Sequence, residues 1–144
     1  MSTKILHIQK KHQTQIGDHI YLKNLQDFDY VEGEAIEPQT VLENPNISLY
    51  CLDPQNQWAI FVETPVNMDL TDTPFFINAQ YKYAQRLIAV PYEYCHQLAK
   101  SLEISIQQLI LIYYVGRCGS TLLSKVFNHL DTITLDDVKA MVPD

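Results

Sequence analysis

Leu109-Ile110-Leu111-Ile112-Tyr113-Tyr114-Val115-Gly116-Arg117-Cys118-Gly119-Ser120-Thr121-Leu122-Leu123-Ser124-Lys125-Val126-Phe127-Asn128 is the stretch whose reading decides the fold. A run of β-prone apolar residues, Leu109 to Val115, stops at two glycines that bracket Arg117 and Cys118. Ser120-Thr121 then opens a segment in which Leu122, Leu123, Val126, Phe127 and Leu130 share one helical face. Strand, glycine-bearing loop and helix are the parts of an anion-binding unit. The first N–H groups of a helix have no intrahelical partner, its dipole places partial positive charge there, and glycines let the backbone close around phosphate or sulfate oxygens. Ser120 and Thr121 add hydroxyl donors, and Arg117 adds a fixed charge with a planar fork of donors.

Three familiar loops fit this stretch poorly. A nucleotide triphosphatase loop requires GxxxxGK[ST]. Aligning Gly119 and Thr121 puts Tyr114 at the first glycine and Ser120 at the lysine, which argues against ATP or GTP hydrolysis. A dinucleotide fingerprint needs GxGxxG, and only Gly116-x-x-Gly119 is present. A cysteine phosphatase loop carries arginine six positions after its thiolate, where Ser124 stands; the arginine here precedes Cys118.

Working back from the loop, Ser105 to Gln108 is a link. Before it, Cys95, Leu98 and Leu102 recur at helical spacing in a helix that Pro91 opens and that ends near Leu102. Phe76, Tyr83, Ala84, Leu87 and Ile88 predict a preceding helix from Phe75 or Phe76 to Ile88. Ile47 to Leu52 and Trp58 to Glu63 are β-prone runs joined by Asp53-Pro54-Gln55-Asn56-Gln57, which predicts a hairpin. Leu22 to Asn46 is acidic, holds Gly33, Pro38 and Pro45, and follows neither period, so it reads as mostly loop with short strands. Ser2 to Lys11 fits a short helix or a strand, and Gly17-Asp18 a turn. The sequence contains no internal repeat.

Composition bounds the functions. The chain has 144 residues, 47% of them apolar, enough for one domain with a core. The net charge is −7, and between Asp18 and Asp72 there are eleven acidic residues against one base, Lys23. This argues against nucleic acid or an anionic membrane as a partner of that half. The longest apolar run, Leu109 to Val115, is too short to span a bilayer, and the first eleven residues lack the apolar segment of a signal peptide. Cys51, Cys95 and Cys118 are an odd, widely spaced set that predicts reduced thiols in a cytoplasmic protein. His7, His12 and His19 are spaced by five and seven, and not by the three or four that sets two side chains side by side on a helix, so no metal site is expected. Cys118, beside Arg117 at a helix start, should have some thiolate character, although filling the variable position of the loop is the simpler role. Tyr81, Tyr83, Tyr92 and Tyr94 could line an acceptor site; packing against a sheet is the favoured reading.

The order basic residue, any residue, Gly, Ser, Thr and apolar helix, here Arg117-Cys118-Gly119-Ser120-Thr121-Leu122-Leu123, resembles the 5′-phosphosulfate-binding loop of the P-loop sulfotransferases. The similarity runs over Tyr113 to Asn128 and is to bacterial sulfotransferase-like proteins in particular. Phe61-Val62-Glu63-Thr64-Pro65 and Ala84 to Pro91 look like the region that precedes the loop in that family. The resemblance implies 3′-phosphoadenosine 5′-phosphosulfate as sulfuryl donor, a hydroxyl or amine acceptor, and no metal. It implies that Gly116, Arg117, Cys118, Gly119, Ser120, Thr121 and Leu122 bind the donor, with Arg117 as the catalytic residue that neutralises charge on the transferring group and the leaving phosphate.

The departures from that family are specific. Its 3′-phosphate ligands lie on later strands and helices that have no counterpart here. Its Ser-Glu-Pro-Asp segment matches Met141-Val142-Pro143-Asp144, so the glutamate position holds Val142. The expected fold is therefore α/β: residues 1–104 form an α+β region with a β-hairpin and two helices, and residues 105–144 form the first β-loop-α unit of a P-loop NTPase-like fold. The expected protein is a truncated sulfotransferase-like member, a fragment or a remnant coding sequence, incomplete as an enzyme as it stands. The alternative is a non-catalytic protein-interaction domain with a vestigial loop. An uncovered apolar strand edge would then demand a protein partner or a homo-oligomer.

Overall fold

The computed structural model describes residues 2–12, 24–68, 70 and 76–102. The predicted strand, loop and helix of residues 105–144, and with them the P-loop part of the expected fold, lie outside the described residues. So does the turn at Gly17-Asp18.

Among the described residues the chain is a mixed α+β structure built on one five-stranded antiparallel sheet. Its strands are β1 (Lys4–Lys11), β2 (Phe28–Ala35), β3 (Ile47–Asp53), β4 (Trp58–Glu63) and β5 (Arg86–Pro91), in the spatial order β2-β1-β5-β4-β3. Three helices accompany them: α1 (Thr40–Glu43), α2 (Phe76–Tyr83) and α3 (Tyr92–Ser101). A 3-10 turn, Leu25–Asp27, leads into β2.

The predicted hairpin is β3 and β4, paired from Ile47 opposite Glu63 to Asp53 opposite Trp58. Its turn is fastened by Asp53, whose Oδ1 accepts from the backbone N–H of Gln55 at 3.1 Å and of Asn56 at 3.2 Å. Gln57 completes the reversal at φ 59°, in the left-handed region. The Gln57 carbonyl then accepts from the Tyr92 N–H at 2.9 Å, which ties the turn to the start of α3.

Two expectations are corrected, and one that was open is decided. Ser2 to Lys11, open between helix and strand, contains β1. Residues 28–35 are not loop but the full strand β2, eight residues long. The predicted helix from Phe75 or Phe76 to Ile88 stops at Tyr83, and Arg86 to Pro91 form β5. The reason is burial. Leu87, Ile88, Ala89 and Val90 are completely inaccessible, and β5 lies between β1 and β4, so alternate residues feed two different cores. Leu87 and Ala89 join Leu6, Phe28, Tyr50, Cys51, Ile60 and Val62 on one face. Ile88 and Val90 join Val41, Ile47 and Leu98 on the other. A large aliphatic side chain so enclosed contributes about 1.5–3 kcal/mol, and a helix would not place four consecutive residues in two cores.

Helices cover both faces. Ile77 and Tyr81 of α2 pack on the first core. Val41 of α1 and Leu98, Tyr94 and Cys95 of α3 form or pack on the second. Pro91 acts as the N-cap of α3 at φ −56° and ψ 142°, so the helix begins at Tyr92, one residue after the predicted first helical position at Pro91. The helix ends at Ser101, close to the predicted end at Leu102.

Candidate functional site

The donor-binding residues read from the sequence, Gly116, Arg117, Cys118, Gly119, Ser120, Thr121 and Leu122, lie outside the described residues, as do Lys125, His129 and Val142. The described part contains the region that precedes the loop. Its polar side chains fall into three sets.

The first set is buried beneath α2. β3 carries one residue more than β4 between Leu49, opposite Phe61, and Cys51, opposite Ile60. This bulge puts the consecutive residues Tyr50 and Cys51 into the same core. The Tyr50 hydroxyl donates to Asp27 Oδ2 at 2.7 Å, and the Asn24 backbone N–H donates to the same oxygen at 3.1 Å. Asp27 is 4% exposed, so these bonds offset the cost of holding its carboxyl away from water. Phe28 stacks edge-on against the Tyr50 ring at 5.4 Å between centroids and lies 5.3 Å from Tyr81. Burial, reinforced by the bond to Asp27, pushes the Tyr50 phenol far above its ordinary range. Burial, with the negative charge of Asp27 and Asp53, pushes the Cys51 thiol up to about 12. At neutral pH both groups hold their protons. Cys51 is therefore a packed thiol and not a nucleophile.

Gln80 on α2 belongs to the same face. Its Nε2 donates to Ser48 Oγ at 2.7 Å and to the Leu49 carbonyl at 2.9 Å. The side chain is fully buried and fastens α2 to β3, an outer strand of the sheet.

The second set decorates the β1-β2 ribbon. Lys4 pairs with Glu32 at 2.7 Å, His7 with Glu34 at 3.2 Å, and His12 with Asp29 at 2.7 Å. Gly33 makes room for one of these. A Cβ there would stand 2.4 Å from His7 Nε2 and 2.6 Å from His7 Cδ2. Each histidine thus has a single carboxylate beside it, and no group of three or more His, Cys, Asp or Glu able to hold a metal ion occurs among the described residues.

The third set is the cross-strand pair of Arg86 on β5 and Glu63 on β4, which Asn44 extends by donating from Nδ2 to Glu63 Oε1 at 3.2 Å. The hydrogen bond to Glu63 raises the Arg86 pKa. Since Glu63 and Arg86 face each other in register, this pair joins two strands and leaves the guanidinium engaged.

The candidate acceptor-site tyrosines are distributed between the two faces. Tyr81 packs on the first core and Tyr94 on the second, while Tyr83 and Tyr92 are half-buried. They do not converge on one surface. Two buried polar arrangements escape the sequence: Gln80 on Ser48 and Leu49, and the separate bond of Tyr50 to Asp27. The one local signal for the second is Asn24-x-x-Asp27, a capping pattern at a short turn. No helix among the described residues is long and apolar enough to cross a membrane.

Comparison with known proteins gives no family model, no curated protein and no solved structure that matches the chain.

Proposed function

We propose that this protein is a sulfotransferase-like protein that binds the 5′-phosphosulfate end of 3′-phosphoadenosine 5′-phosphosulfate through Gly116 to Leu122. The single observation that carries the proposal is the sequence Gly116-Arg117-Cys118-Gly119-Ser120-Thr121-Leu122 between an apolar run and an amphipathic helical pattern. The donor set suits the ligand: backbone N–H groups and two hydroxyls for the phosphate oxygens, and an arginine where negative charge grows during sulfuryl transfer. Transfer to a hydroxyl or amine acceptor depends chiefly on holding donor and acceptor in line and on neutralising the leaving phosphate. Arg117 is assigned the second task. The lack of lysine at Ser120 favours phosphosulfate over a nucleoside triphosphate. In this proposal residues 105–144 begin a P-loop α/β unit, the antiparallel sheet is the region that precedes it, and the protein works in the cytoplasm without a metal.

Titration calorimetry of the whole chain with 3′-phosphoadenosine 5′-phosphate, for wild type and Arg117→Ala, tests the proposal. The expected result is saturable binding by wild type, weakened at least tenfold by the substitution. Equal binding by both proteins, or affinity no greater than for inorganic phosphate, removes it and leaves a non-catalytic interaction domain as the better account.

A further inference from the structure

We draw no further inference here: the strongest candidate, the outer edge of β2 at the margin of the sheet, with Val31 exposed between Asp29, Glu32 and Glu34, carries nothing because its carboxylates are already paired with Lys4, His7 and His12 and nothing in the structure shows what covers that edge.

Discussion

The Tyr50 hydroxyl donates a 2.7 Å hydrogen bond to Oδ2 of Asp27, joining the strand at one margin of the sheet to the turn that precedes the strand at the other. Tyr50→Phe keeps the ring and removes this donor, leaving Asp27 Oδ2 with the Asn24 N–H. The expected loss of stability is about 1–3 kcal/mol, the cost of stripping a charged buried acceptor of a partner. Urea denaturation of both proteins checks it. An unchanged midpoint would mean that the carboxyl is satisfied without Tyr50.

The same core predicts alkaline sensitivity. The Tyr50 phenol and the Cys51 thiol have folded-state pKa values raised by burial, that of Cys51 to about 12. A raised folded pKa means that the native state binds the proton more tightly than the unfolded chain. The stabilisation is complete below the unfolded pKa and declines as pH rises toward the folded one. From about pH 9 upward for Cys51 and about pH 10 upward for Tyr50, each group should remove up to about 1.4 kcal/mol per pH unit. Stability measured against pH for Cys51→Ala should fall less steeply than for wild type through this window. Parallel curves would contradict the assignment.

Gln80→Ala removes two hydrogen bonds from a fully buried side chain and leaves a cavity between α2 and β3. A loss of about 2–4 kcal/mol is expected. Native-state hydrogen exchange should show faster exchange in α2 than in β1. If α2 exchanged no faster in the variant than in wild type, Gln80 would not be its fastening.

Arg86 and Glu63 illustrate a weaker term. The Arg86 side chain is 38% exposed, so solvent screens the pair, and a double-mutant cycle with Arg86→Ala and Glu63→Ala should give a coupling below about 1 kcal/mol. A coupling of several kcal/mol would show that the pair is shielded far better than its exposure implies.

Glu34 has a carboxyl pKa held below the ordinary value, first by its own backbone hydrogen bond and then by the bond with His7. Gly33→Ala would push the His7 ring aside and raise the Glu34 pKa part of the way back. Carboxyl titration followed by NMR reads this directly, and an unmoved Glu34 titration would mean that His7 keeps its position despite the added methyl group.

The parts of this fold that are legible in the sequence are those decided locally. Asp53-Pro54 sets the β3-β4 turn through contacts within four residues, and Pro91 sets the start of α3 through its own fixed φ. β2 is hidden because its carboxylates look like solvated loop, whereas Glu32 and Glu34 pair with Lys4 and His7 of β1, and Asp29 with His12 just beyond it, all far earlier in the chain. β5 is hidden because a continuous apolar run buried on both faces has no period of its own and continues the helical spacing of Phe76, Tyr83 and Leu87. Leu87 to Val90 is the same kind of continuous apolar run as Leu109 to Val115, which reads as a strand. The bond of Tyr50 to Asp27 depends on a bulge at Tyr50, which alternation along β3 does not announce. The proposed donor loop at Gly116 to Leu122 is read from residue types at fixed short spacing and lies outside the described residues.

Equilibrium dialysis of the whole chain with radiolabelled 3′-phosphoadenosine 5′-phosphosulfate tests the central claim most directly. Saturable binding of one donor per chain, displaced by 3′-phosphoadenosine 5′-phosphate and at least tenfold less effectively by magnesium ATP, is the predicted result. Absence of saturable binding, or equal displacement by ATP, would contradict it.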